Sequence, residues 1–167
     1  YGMQLACVEY ARNVVGLDQA HTIEVDANSA HPIIHDIPFS EKYQTIKGDV
    51  ASMRLGAYDC VLDPESLAYE LYDRYDAFKD KKEDLVSERH RHRFEFNNEY
   101  RQQLSEAGLV FSGTSPDDMF VEMIELPHDV HPFFLATQAH PEYKSRPLQP
   151  HPFFLGFLEA VETAAGV

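Results

Sequence analysis

Apolar residues recur at helical spacing from the start of the chain. Met3, Cys7, Tyr10, Ala11 and Val14 share one face of a helix predicted from Met3 to Val15, and Gly16 supplies its stop. A short strand-like piece, Thr22 to Val25, follows. Asp26 to Ser40 is rich in Asn, Ser, Pro and His and reads as an irregular surface loop. Between Tyr43 and Leu62 three β-like runs, Gln44 to Lys47, Ser52 to Leu55 and Tyr58 to Leu62, are separated by Gly48-Asp49 and Gly56-Ala57. They predict a small antiparallel meander, placed as a flap over a site.

The second half alternates elements of both kinds. Ser66 to Tyr72 is helical, and the charge-dense, apolar-poor stretch Asp73 to Asp84 reads as a solvated insertion. Glu88 to Phe96 alternates charged with ring side chains, Asn98 to Ala107 is a helix stopped by Gly108, and Leu109 to Ser112 is a strand. Thr114 to Asp118 is a turn leading to a strand from Met119 to Leu126. The apolar run Phe133 to Gln138 predicts a buried strand, and Pro152 to Ala164 an amphipathic closing helix. Strands and helices mix without an internal repeat, which favours an α/β domain over a solenoid.

Size and charge narrow the partners. The 167 residues, 44% of them hydrophobic, suffice for one buried core. No window approaches the ~18 apolar residues of a membrane span, and no basic leader precedes an apolar stretch. The formal net charge of -14 disfavours nucleic acid and anionic lipid. Arg89, Arg91 and Arg93 nevertheless cluster, with Arg54 and Arg146 elsewhere, a pattern suited to a small anionic ligand. Two cysteines, Cys7 and Cys60, make neither a metal spacing nor a disulfide scaffold, which is read as a reducing cytoplasm.

The candidate chemistry lies in Gln138-Ala139-His140-Pro141-Glu142. A histidine two residues ahead of a glutamate, on the loop leaving a strand, can act as a base with its orienter. The alternative is an ordinary turn with both charges in water. Gly2-Met3-Gln4, opening straight into a helix, resembles the last part of a strand-to-helix nucleophile elbow, in which glycine permits close packing; the nucleophile is then expected immediately before Tyr1. A plain helix N-terminus is the competing reading. Cys7 and Cys60 fall on apolar faces and read as core thiols rather than nucleophiles. His90-Arg91-His92 could offer a metal pair, but arginines on alternate positions repel a dication, so no metal site is assigned.

Together these residues resemble the class I glutamine amidotransferases, with their G-x-C-x-G-x-Q elbow and H-x-E pair. Ser87 to Asn98, Ser52-Met53-Arg54-Leu55-Gly56 and Lys144-Ser145-Arg146-Pro147 extend the likeness over nearly the whole chain to the glutaminase domains of the CTP synthase family. The resemblance implies a flavodoxin-like open sheet with flanking helices. It implies that residues 1–167 are the C-terminal part of a glutaminase domain, with His140 and Glu142 catalytic beside a cysteine preceding Tyr1. Tyr1, Gly2, Gln4, Glu24 and Arg93 would bind L-glutamine, and Met53 and Arg54 would belong to a lid tied to GTP activation. No cofactor is implied for this segment; ATP, Mg and a GTP activator are implied for a full enzyme that aminates UTP to CTP through an N-terminal synthetase domain, as a cytoplasmic homotetramer. Ser52, Ala51 and Ala139 depart from the usual threonine, glycine and aromatic residue. A catalytically silent amidotransferase-like module and a glutaminase of another pathway are the alternatives.

Overall fold

Residues 1–36 and 53–166 are described by a computed structural model. Helix α1 (Gly2–Asn13) buries Met3, Gln4, Cys7, Val8 and Ala11, and Gly16, at a φ of +83°, turns the chain out of it. Strands β1 (Ala20–Thr22) and β2 (His31–Asp36) follow, then β3 (Arg54–Leu62) and helix α2 (Leu67–Arg74). The remaining elements are β4 (Leu85–His92), β5 (Phe94–Phe96), α3 (Arg101–Glu106), β6 (Val110–Thr114), β7 (Val121–Glu125), β8 (Leu135–Thr137) and α4 (Pro152–Ala165).

Two sheets organise these elements. One runs β1-β2-β5 and the other β4-β3-β6-β7-β8. β1 pairs parallel to β2 and every other pair is antiparallel. One core lies between α1 and the strands around Ile33, Ile34, Phe96 and Ile124; a second gathers Cys60, Leu71, Tyr72, Val86 and Met123 beneath α2 and α4. Glu125, at the end of β7, accepts hydrogen bonds from the amides of Leu67 at 2.8 Å and Ala68 at 3.1 Å. Its carboxylate thus caps the start of α2 and ties that helix to the sheet.

Several expectations change. The loop expected over Asp26 to Ser40 contains β2: Pro32 and two histidines flank Ile33 and Ile34, both fully buried, and the apolar pair decides the pairing. The strand expected from Thr22 ends there, because Val25 and Asp26 turn back onto the Thr22 carbonyl. Gly56-Ala57 does not separate two runs. β3 passes through Gly56 at a φ of +110° while keeping register with β4 from Arg54↔His92 to Val61↔Leu85, so this part of the expected flap is an interior strand of the larger sheet. Gln44 to Lys47 and Ser52 lie outside the described residues. The expected solvated insertion is exposed at Lys81–Glu83, yet Tyr75, Ala77 and Phe78 pack on the second core. The run ending at Gln138 is a half-buried edge strand, β8, not a buried one.

The sheet faces also bury charge. Arg54 donates to Glu95 at 3.1 Å and to Glu122 at 2.6 Å, and its guanidinium lies over the rings of Tyr58 and Phe120 at 4.5 and 4.7 Å. Burial, the largest effect, raises Glu95 to about 8 against the pull of Arg54, and the charge of Glu122 adds to the rise. Glu122 is raised for the same reason. Two carboxylates share one guanidinium in a dry site.

Two outcomes follow for stability. A Cβ at Gly113 would lie 2.8 Å from Cys60 Sγ and 3.2 Å from Met123 Cβ, so Gly113→Ala lowers unfolding stability by about 1–3 kcal/mol in urea titration. Because the folded value of Glu95 is raised, its contribution is complete below about 4.5 and is lost as pH rises to about 8. Thermal melts across that window should therefore be flatter for Glu95→Gln, by no more than about 1.4 kcal/mol per pH unit.

Candidate active site

The backbone carbonyl of Phe94, at the start of β5, is the meeting point of three side chains. Gln4 Nε2 from α1 and Gln138 Nε2 from the loop after β8 each donate to it at 3.0 Å, and His92 Nδ1 lies 3.1 Å away. A carbonyl can only accept, so the His92 proton is on Nδ1 and its Nε2 accepts from His90 Nδ1, at 2.9 Å. Burial first, and then the Arg54 charge, lower His92 to about 3, so its ring is neutral at physiological pH.

Around this point opens a cavity of about 310 Å³, lined by Tyr1, Gln4, Glu24, Met53, Arg91, His92, Arg93, Phe94, Gln138 and His140. Six of the residues singled out in the sequence therefore share one wall: Tyr1, Gln4, Glu24, Met53, Arg93 and His140. Lost solvation raises the Tyr1 phenol, and the neighbouring Glu24 carboxylate raises it further. A separate groove of about 850 Å³, beside α3 and β6, shares no residue with this cavity and carries no base-and-acid pair of this kind.

His140 is held from three sides. Its amide donates to the Arg89 carbonyl at 2.8 Å, its ring stacks on Tyr143 at 5.1 Å, and its Nδ1 meets Glu142 Oε1 at 2.7 Å. Glu142 is presented by the 3-10 turn Pro141–Tyr143, in which proline sets the first residue. Burial alone would raise Glu142, but the hydrogen bond to His140 outweighs it and holds the carboxyl below its ordinary range. A carboxylate on Nδ1 fixes the ring and leaves Nε2 as the position that can take and return a proton.

The other expected residues are placed differently. Gly2 begins α1 and does not line the cavity. Arg54 is directed inward to Glu95 and Glu122, and it is Met53 that reaches the cavity. Cys7 and Cys60 are buried; burial pushes the Cys7 thiol up to about 12 and Cys60 well above its ordinary value. Gln138, His92 and Phe94 had no assigned role in the sequence, and Arg91 was read only as part of a cationic cluster suited to a small anion. Gln138 carried a positional signal, two residues ahead of His140. No group of three metal-ligating side chains occurs among the described residues, and no helix there is long and apolar enough to cross a membrane.

Comparison with known proteins gives this geometry a family. Residues 1–160 match the model of the class-I glutamine amidotransferases. The chain is 49% identical over 98% of its length to CTP synthase of Bacillus subtilis and 51% identical over 96% to that of Caldanaerobacter subterraneus. It spans only 28% and 27% of those two relatives. Its fold superposes with a TM-score of 0.79, at 34% identity, on the Trypanosoma brucei CTPS glutaminase domain with bound acivicin, covering 97% of this chain and 58% of that one. With that match over nearly its whole length, the chain belongs to the class-I glutamine amidotransferase family.

Proposed function

We propose that this segment hydrolyses the side-chain amide of L-glutamine and that the released ammonia serves the ATP-dependent amination of UTP to CTP in the full-length protein. The observation that carries the reading is the His140–Glu142 hydrogen bond of 2.7 Å on the rim of a cavity that also reaches Tyr1, the residue directly before α1. The likeness to CTP synthases over nearly the whole chain supports the particular reaction.

The cavity suits an amino acid carrying both charges. Arg93 and Arg91 offer guanidinium donors to an α-carboxylate, and Glu24 offers a carboxylate to an α-ammonium. In this reading the nucleophile is a cysteine directly before Tyr1, at the N-terminus of α1, where helix amides favour a thiolate. The sulfur adds to the amide carbon of the substrate, the C–N bond breaks, and His140 passes the thiol proton to the departing nitrogen as ammonia. Water deprotonated by the same imidazole then cleaves the thioester, giving glutamate and restoring the thiol.

Met53 and Arg54 are proposed to couple the cavity to GTP, Met53 by lining it and Arg54 by anchoring the start of β3. The sites for ATP, Mg and UTP belong to a synthetase domain outside this segment, and the assembly is proposed to be a cytoplasmic homotetramer.

In the full-length protein, His140→Ala abolishes glutamine-dependent CTP formation, by about 10³-fold or more, and leaves synthesis from added ammonia intact. Equal loss of both activities would assign His140 a structural role. A glutamine-analogue electrophile should label one cysteine preceding Tyr1 and neither Cys7 nor Cys60, as read by peptide mass spectrometry; labelling of neither that residue nor any other would favour a silent binding module.

A further inference from the structure

The turn that carries His140 and Glu142 is docked on β4 at both ends. At one end the His140 amide donates to Arg89 O at 2.8 Å. At the other, Lys144 Nζ donates to Ser87 O at 2.5 Å and to Glu88 Oε1 at 3.0 Å. Between these points the turn is closed on itself, with Tyr143 N on His140 O at 3.0 Å and the amides of Lys144 and Ser145 on Pro141 O at 3.1 and 3.0 Å. A stiff segment fixed at two points has a defined orientation, whereas one fixed at a single hydrogen bond can pivot.

Glu88 is the buried half of the second anchor. It is 2% exposed, and its partners come from separate parts of the chain. Tyr72 Oη from α2 donates to it at 2.9 Å, Lys144 reaches it from the turn, and His151 Nε2 lies 3.4 Å from Oε2. His151 Nδ1 accepts from Phe153 N at 3.2 Å, so the ring proton is on Nε2, the nitrogen next to Glu88. Burial would raise the Glu88 carboxyl, yet His151 and Lys144 hold it below its ordinary range, so the anchor keeps its charge. Nothing in the proposed chemistry uses any of these groups.

We propose that Glu88, acting through Lys144, is a positioning residue for the His140–Glu142 pair, setting the orientation of the turn that presents the base to the substrate. The proposal rests on the glutaminase reading of the site. A displacement of the base by about 1 Å can cost about 100-fold in rate without a matching loss of binding.

The test uses Lys144→Met, Lys144→Arg, Glu88→Gln and the double variant Glu88→Gln/Lys144→Met in the full-length protein. Lys144 is exposed, so its variants keep the test informative even where Glu88→Gln fails to fold. Lys144→Met and Glu88→Gln are each expected to lower kcat for glutamine hydrolysis by about 10- to 100-fold, with KM for glutamine and ammonia-dependent synthesis nearly unchanged. The double variant should lose no more than the worse single one, and Lys144→Arg should recover most of the rate. Unchanged kcat in Lys144→Met, a loss confined to KM, or losses that multiply in the double variant would overturn the proposal. A wild-type protein that does not turn over glutamine would instead remove the glutaminase reading. The anchor is then decided by amide hydrogen exchange across residues 140–145, expected to quicken in Lys144→Met and overturned where it does not.

Discussion

The Arg54 guanidinium is gripped by one carboxylate from each sheet, Glu122 of β7 in the larger and Glu95 of β5 in the smaller. All three side chains are nearly excluded from solvent, so none can find another hydrogen-bond partner in water. Such a group adds little net stability over an apolar replacement, but it penalises any arrangement that separates its members. It therefore fixes how the two sheets meet. The cavity lies at that meeting, with walls drawn from both.

That constraint reaches the site along the chain. Glu95 is the neighbour of Phe94, whose carbonyl gathers Gln4, Gln138 and His92. Glu122 O in turn accepts from Gln138 N at 2.8 Å, two residues before His140. The start of α1, the end of β4 and the loop after β8 are thus held to one another through hydrogen bonds adjacent to a single buried ion cluster. The base and its orienter sit at the rim of this rigid assembly, where the turn Pro141–Tyr143 can present them to solvent and ligand.

Much of this was legible where one local rule dominates. The period of Met3, Cys7 and Ala11 located α1, the glycines at positions 16 and 108 ended helices at positive φ, and the His-x-Glu spacing located the hydrogen-bonded pair. The rest depends on partners far along the chain. β2 was hidden because Pro32, His31 and His35 outweigh Ile33 and Ile34 in a local count, although β5 supplies the pairing that makes them a strand. Glu88, Glu95 and Glu122 look like solvated residues in sequence, since nothing local announces a lysine, an arginine or a tyrosine 16 to 68 positions away. Nor does anything near Arg54 in sequence announce the two carboxylates that bury it.

The crowded Phe94 carbonyl also determines what the cavity cannot do. An oxygen with donors from three side chains at 3.0–3.1 Å has no lone-pair direction left for a newcomer. A cationic group entering the cavity meets there an acceptor already saturated by the protein. The Glu24 carboxylate, on the wall of the same cavity, is open to it instead. By occupying one polar atom completely, the fold leaves a short and directional choice of where positive charge can rest, and so orients whatever carries it.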